Sequence, residues 1–460
     1  MLDIRRPAGF EGKMAAAREN QSYGAAGVVR AQQAGPLSGV VRAPGDKSIS
    51  QRALIFGALS AGETTISGLL EGEDVLRTAA ALRALGAEIE REGGIWRIMG
   101  GPWRSPERAL FFGNSGTGAR LVMGAVAGAG VAASFDGDQS LRSRPMGRVL
   151  EPLRMMGVNA EDSGGRLPVR IGGNDGLTAI NVKLATPSAQ VKSAILLAAL
   201  RAEGVTRIHE PILCRDHTER MLAAFGAKLK TESDGADGRF IEIQSGGQLT
   251  ACDVTAPGDP SSAAFLIAAA VITPGSEIVV ENVLVNPLRA GFYETLREMG
   301  ADITFENQRA QSGEPVADIR ARYSILSGVE VAATRAPSMI DEYPILSVVA
   351  SFANGETMMH GLDELRVKES DRLASVEAGL VACGVDVASG EDWLRIRGAA
   401  SAPKGGARVK THHDHRIAMS FLVMGGASGK PVEIDDGATI ATSFPGFLQT
   451  MTALGAAVEM

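Results

Sequence analysis

Six times this chain writes a helix-like stretch that ends in glycine and runs on into a strand-like stretch. The copies read LRALGAEIE, LRMMGVNAE, LAAFGAKLK, LREMGADIT, LVACGVDVA and MTALGAAVE, with their glycines at Gly86, Gly157, Gly226, Gly300, Gly384 and Gly455. The spacings are 71, 69, 74, 84 and 71 residues. A period this long is not that of a solenoid of small repeats. Glycine after an apolar stripe is the expected end of a helix that needs a left-handed residue. Each unit also carries an earlier Ala- and Leu-rich helix, as in QRALIFGALSAG, AQVKSAILLAAL, SSAAFLIAAAV and HRIAMSFLVMGG, followed by short strands such as TTISGL, EIVVENV and PVEIDD. The unit reads strand, helix, strand, helix, strand.

Six units divide into three and three, because the turn APGD occurs twice. Asp46 and Asp259, 213 residues apart, each open an apolar helix. The expectation is an α/β chain of two similar lobes. Residues 46–256 form one, and 37–45 with 257–460 form the other. A two-strand hinge lies near Pro44 and Pro257. Residues 1–36 are polar, Ala/Gly-rich and aperiodic, and read as a loose extension outside the fold.

With 46 basic against 53 acidic residues the net charge is −7. An anionic chain is a poor partner for nucleic acid or membrane unless its cations are concentrated locally. The longest apolar run, AAFLIAAAVI, is too short to span a bilayer. Cys214, Cys252 and Cys383 are odd in number and far apart. That argues against a disulfide framework or zinc site and for a reducing, cytoplasmic setting.

The cations do collect, mostly where the first helix of a unit begins. DKSISQR places Lys47, Ser48 and Arg52 behind the cap Asp46. Cations there oppose the helix dipole, so a bound anion is one reading and a solvated helix start the other. The stretch is not a Walker loop, because Asp46 stands where glycine must precede lysine. GNSGTGAR is a Gly-rich turn whose amides, Asn114 to Thr117, are placed to cradle an anion. SLRSRPMGRVL carries Arg142, Arg144 and Arg148, either a surface cluster or a fork for phosphate and carboxylate. Ser188, Ala189 and Gln190 open another apolar helix, and Arg215 precedes a further one. Asp341 and Glu342 sit among apolar residues. Burial raises a carboxyl pKa and nearby cations lower it, so Asp341 is either a base or a paired structural acid. LRVKESDRL places Lys368, Glu369 and Arg372 on about one helical turn. HHDHR caps a helix with Asp414, followed by His415 and Arg416; its histidines lack metal-ligand spacing. Helix starts from both lobes facing one cleft would hold a ligand with several negative charges.

Nine segments occur in order: PGDKSISQR, GNSGTGAR, RPMGRVLEPLR, SAQVKSA, RDHTERML, IDEYP, LRVKESDRL, DHRIAM and ATSFPGF. Together they resemble the 5-enolpyruvylshikimate-3-phosphate synthases, in the variant of the second, bacterial class. The resemblance covers about Leu37 to the C-terminus. It implies two lobes, each of three βαβαββ units (an inside-out α/β barrel), and a monomer. It implies transfer of the enolpyruvyl group of phosphoenolpyruvate to shikimate 3-phosphate with release of phosphate, without metal or organic cofactor. By the family pattern Lys47, Ser48, Arg52, Ser188, Ala189, Gln190, Arg215, Asp341 and Lys368 meet shikimate 3-phosphate. Lys47, Gly116, Arg144, Gln190, Arg372 and Arg416 meet phosphoenolpyruvate. Asp341 matches the proton acceptor, and Glu369 a candidate proton donor.

Two departures stand out. The commoner first class carries lysine where this chain has Thr442. Tolerant second-class relatives often have alanine where this chain has Gly116, a methyl that would crowd the inhibitor, so the resemblance implies glyphosate as an inhibitor and greater sensitivity than in those relatives. Two other readings compete. The first is transfer to UDP-N-acetylglucosamine, whose enzymes carry a reactive cysteine in a Gly-rich loop that this chain lacks. The second is a silent binder of an anionic metabolite.

Overall fold

The computed structural model describes residues 27–460. All six unit glycines end their helices with φ between 81° and 112°, the left-handed region that the repeat implied.

Among the described residues there are six four-stranded sheets, and each repeats one plan. An outer strand runs parallel to its neighbour, and the next two strands are antiparallel. In the first sheet Val254–Thr255 pairs parallel with Glu63–Ser67, which pairs antiparallel with Ile95–Met99, and that with Glu88–Glu92. The fourth sheet copies this with Ser38–Arg42 parallel to Glu277–Leu284. The outer strands of units one and four are therefore exchanged across the seam. The crossing chains are stitched there: Asp46 N donates to Pro257 O (2.7 Å) and Asp259 N to Pro44 O (2.8 Å). Gly45 permits the approach, since a Cβ there would lie 1.9 Å from Gly68 O.

The N-terminal expectation needs correction. Val29–Gln32, read as part of a loose extension, is the third strand of the sixth sheet. It lies between Val432–Ile434 and Ala457–Glu459, antiparallel to both. The sixth unit contributes Val432–Ile434 and Ala457–Glu459 to this sheet, and the N-terminal segment supplies the strand between them. Val29 and Ala31 are fully buried, and burying a valine contributes roughly 1.5–3 kcal/mol. Arg30 faces Glu433 and Glu459 across the strands. Four residues are too few to show a strand period. Residues 1–26 of that expectation lie outside the described residues.

The first helix of each unit is buried. Pro260–Ile272 has all its residues inside, and Lys47–Leu59, Gly116–Ala129, Ala189–Ala199, Tyr343–Phe352 and His415–Ala427 nearly so. A helix apolar all round belongs in a core. Three such helices pack together at the centre of each lobe, with the sheets outside them. Two apolar clusters result: one runs from Ile49 to Ala256, the other from Ala263 to Leu454 together with Val29, Ala31 and Leu37. No helix among the described residues is long and apolar enough to cross a membrane.

Candidate active site

The six inner helices begin at Asp46, Ser115, Ser188, Asp259, Glu342 and Asp414. Residues at or beside all six starts line one cavity of about 440 Å³ between the lobes. Five of these caps accept a backbone N–H with their own side chain, among them Asp46 from Ile49 (2.7 Å) and Asp414 from Arg416 (2.9 Å). The caps satisfy amides that helices leave unpaired and turn the residues that follow toward the cleft.

The two walls carry opposite charge. The first lobe contributes Lys47, Arg120, Arg144, Arg148 and Arg215 against Asp46 and Asp74. The second contributes Arg289, Lys368 and Arg416 against Asp259, Asp341, Asp363, Glu364 and Glu369. The expectation that cations from both lobes line the cleft holds. The basic surplus, however, belongs to the first wall, and the carboxylates belong to the second.

Most of the expected site residues meet here: Lys47, Ser48, Gly116, Arg144, Ser188, Ala189, Gln190, Arg215, Asp341, Lys368, Glu369 and Arg416 all line the cavity. Arg52 and Arg372 do not. Arg52 is buried and donates to Thr218 Oγ1 (2.7 Å), Ser193 Oγ (2.9 Å) and Ser48 O (3.1 Å). Burial lowers its pKa to about 10. Arg372 lies behind the wall and donates to Asp414 Oδ2 (2.8 Å), Asp341 Oδ1 (3.1 Å) and Glu369. Anchored on Asp414, it orients Asp341 and Glu369 from the rear.

Asp341 is the most heavily surrounded acid. Arg215 Nη2 lies 2.7 Å from it, Arg372 Nη1 3.1 Å, and Lys368 Nζ and Arg416 Nε 4.0 Å each. Burial pushes this carboxyl up, but Arg416, Arg215, Lys368 and Arg372 outweigh it and hold the group well below the usual carboxylate range. Glu369 behaves alike: burial raises it, and Arg372 and Arg144 bring it well below. Both acids are ionised near neutral pH. Burial lowers the Lys368 ammonium, against the pull of Asp341. His415 is buried, and burial with Arg416 and Lys47 nearby keeps it neutral.

Local structure differs from expectation in two places. Lys368 and Arg372 do not share a helix face: a 3-10 turn spans Asp363–Val367, Lys368 is extended, and the helix starts at Arg372 behind its cap Asp371. A serine–aspartate pair before the helix favours a cap over continuation. In GNSGTGAR the amides of Ser115 and Gly116 are already bonded, to Phe112 O and Asn114 O. The turn therefore offers fewer free amides than its sequence suggested.

Sequence reasoning missed Arg120. Its guanidinium is buried in the cavity wall, with Nη1 on Gln190 Oε1 (2.6 Å), Nη2 on Pro145 O (3.0 Å) and Nε unpartnered among the described residues. Burial, with Arg144 and Arg148 close by, lowers its pKa to about 9. The signal was present in GNSGTGAR, whose last residue lies one helical turn after Gly116. Of the arginine trio, Arg142 turns outward onto Asp136, while Arg144 and Arg148 turn in.

Cys214 borders the cavity, but burial raises its pKa and its thiol donates to Glu210 Oε1 (2.6 Å). The buried trio Asp216, His217 and Glu314 has metal-ligand residue types in proximity. Its oxygens already accept from Arg220 and Asn286 (2.7–2.9 Å) and from His217, so it reads as an inter-lobe hydrogen-bond cluster. A second groove of about 710 Å³ lies behind Glu369. Its rim residues Arg408, Lys410 and His412 are exposed.

Comparison with known proteins fits this geometry. The family described as EPSP synthase (3-phosphoshikimate 1-carboxyvinyltransferase) matches residues 31–451. A 3-phosphoshikimate 1-carboxyvinyltransferase of Chelativorans sp. is 56% identical over 436 residues, covering 94% of this chain and 97% of that protein. One from Pseudomonas sp. is 54% identical, with 94% and 97% covered. The EPSP synthase structure from Acinetobacter baumannii superposes with a TM-score of 0.83 at 42% identity, over 94% of this chain and 100% of that one. The enolpyruvyl transferase NikO from Streptomyces tendae, 19% identical with a TM-score of 0.74 over 94% of this chain and 98% of its own, shares the fold.

Proposed function

The chain belongs to the EPSP synthase family, and from that premise we propose how its cavity residues divide the work. The reaction moves the enolpyruvyl group of phosphoenolpyruvate to the 5-hydroxyl of shikimate 3-phosphate and releases phosphate, a step of aromatic amino-acid biosynthesis. The observation that supports the division is the asymmetry of the walls: a basic face meets a face of ionised acids across one cavity.

Both substrates are polyanions, and together they repel. Lys47, Ser48, Ser188, Ala189, Gln190 and Arg215 hold shikimate 3-phosphate, with Arg52 supporting from behind Ser48. Lys47, Gly116, Gln190, Arg144 and Arg416 hold phosphoenolpyruvate, with Arg372 behind. Fixed cations offset the repulsion and stabilise the departing phosphate without reorganising. Asp341 takes the hydroxyl proton as the oxygen attacks C2. Glu369, ionised in the free site, takes up a proton from solvent as phosphoenolpyruvate binds, gives it to C3 on addition and takes one back on elimination.

Both acids are weak bases while their cations surround them. A substrate phosphate drawing Arg215, and a carboxylate drawing Arg144, remove part of that compensation and raise the two pKa values at the moment of use. The substrates thus arm the groups that act on them.

The finer readings rest on the family resemblance. Glyphosate competes at the Gly116 face, where tolerant relatives carry a methyl. The enzyme works as a cytoplasmic monomer without cofactor or metal. The lobes divide at Pro44 and Pro257, as 46–256 and 37–45 with 257–460, the strand Val29–Gln32 joining the second.

Phosphate release on mixing the protein with phosphoenolpyruvate and shikimate 3-phosphate tests the assignment, beside a control with UDP-N-acetylglucosamine. Release with the sugar nucleotide alone would move the acceptor. Binding without release would favour a silent binder. The protonated, buried Cys214 gives the sugar-nucleotide reading no nucleophile.

A further inference from the structure

We infer that Arg148 and Glu364 form a latch that holds the two walls of the cleft in register, as positioning residues for the transfer reaction. Arg148 Nη1 lies 3.1 and 3.4 Å from the two carboxylate oxygens of Glu364. The residues come from opposite lobes, and both line the cavity.

The pair's position in the chain carries the argument. Arg148 is in the first turn of the helix Gly147–Met155, four residues after Arg144. Glu364 is in the 3-10 turn Asp363–Val367, which delivers Lys368 and Glu369. The pair therefore ties the segment presenting Arg144 to the segment presenting Lys368 and Glu369. A second strut runs alongside: Ser140 Oγ donates to Glu369 O (3.2 Å). On its own lobe the 3-10 turn is pinned by buried Leu365 and by Arg366, which reaches Glu391 O (2.8 Å) and Asp371 (3.0 Å). Its approach to the first lobe rests on Arg148.

The other ion pairs across the cavity mouth do a different job. Arg215–Asp341 and Arg144–Glu369 join groups assigned to substrate and proton transfer, and substrates displace them. Arg148 and Glu364 are more open to solvent, at 28% and 38%. An ion pair so exposed is weak and screened by salt. That suits a contact made and broken in each turnover. Substrates that bind only the closed arrangement lose apparent affinity in proportion to the fraction that is open. Loss of the latch therefore acts on KM, and saturating substrates restore closure and kcat.

The experiment is a double-mutant cycle of Arg148→Gln, Glu364→Gln and the double variant, with Arg148→Lys as the charge-keeping control. Each neutral single variant is expected to raise the KM of both substrates roughly two- to five-fold, the range of an exposed pair, with kcat within about two-fold of wild type. The double variant should be no worse than either single, Arg148→Lys should recover part of the loss, and added salt should erase the difference. Additive losses in the double variant would overturn the latch. So would unchanged KM in both singles, or losses confined to kcat. Wild-type turnover in the same assay separates failure of the latch from failure of the reaction assignment.

Discussion

Arg289→Met tests the seam between the lobes. Arg289 is buried and joins the two copied caps, with Nη1 3.3 Å from Asp46 Oδ2 and Nη2 3.2 Å from Asp259 Oδ1. It also donates to Ser261 Oγ (2.9 Å). Burial raises Asp46, but Arg289 and other cations bring it below its usual value. Burial and the neighbouring Asp46 raise Asp259 to about 6, from 3.8. Methionine leaves two buried carboxyls facing each other without the cation. One of them must then keep a proton that the unfolded chain has released. A folded state that holds one extra proton loses stability as pH rises, by about 1.4 kcal/mol per pH unit. In wild type Asp259 has already ionised above about pH 6, so the gap between variant and wild type opens from there. It should widen by about 2.7 kcal/mol between about pH 6 and 8. With about 1 kcal/mol for the lost Ser261 hydrogen bond, the total near pH 8 falls in the range of about 3–5 kcal/mol known for a broken buried pair. Urea unfolding of both proteins at about pH 6, 7 and 8 reads it. A pH-independent gap, or one that narrows as pH rises, would refute the argument that the arginine is there to let both caps ionise.

Three further outcomes are expected. Asp341→Asn should cut turnover roughly 10²- to 10⁴-fold while leaving the binding of shikimate 3-phosphate intact, because Arg215 is then freed for the ligand; calorimetric titration beside phosphate release separates the two. A Cβ at Gly116 would lie 3.1 Å from both Arg120 Nη1 and Arg144 Nη1, so Gly116→Ala should weaken glyphosate inhibition more than it raises the KM of phosphoenolpyruvate, and an unchanged inhibition constant would count against that placement. Val29→Asp puts a carboxylate into a fully buried site and should lower stability by about 3 kcal/mol or more, read by thermal unfolding; a neutral result would mean that the N-terminal strand is not needed to complete the sixth sheet.

Much of the site was legible because its chemistry is local. Lys47, Ser188 and Arg416 each sit within two residues of a helix cap, and caps are written in sequence as Ser or Asp before an apolar run. Arg52 and Arg372 carry the right residue types in the right motifs, yet they stand behind the wall. Only packing separates a cation that faces a ligand from one that orients an acid. Arg120 went unmarked because the Gly-rich turn was read for its amides; its place one helical turn after Gly116, on the same face, was the sign along the chain. The shared turn of Lys368 and Arg372 was read from spacing alone, and the cap Asp371 broke it.

By itself the sequence determined the unit and its count. The helix-ending glycines require a left-handed residue wherever they occur, and a helix apolar on every side must be buried, whatever its neighbours. It also determined the copied turn, because Asp46 and Asp259 cap their helices through bonds to residues two or three positions away. Tertiary structure decided what depends on distant partners. Val29–Gln32 became a strand because it pairs on both sides, with Val432–Ile434 and Ala457–Glu459, and a four-residue segment takes its conformation from the edges it joins. Asp341 and Glu369 became ionised because cations more than a hundred residues apart converge on them. The opposite charge of the two walls exists in neither lobe's sequence alone; it arises where the fold brings helix starts of both lobes to one cavity.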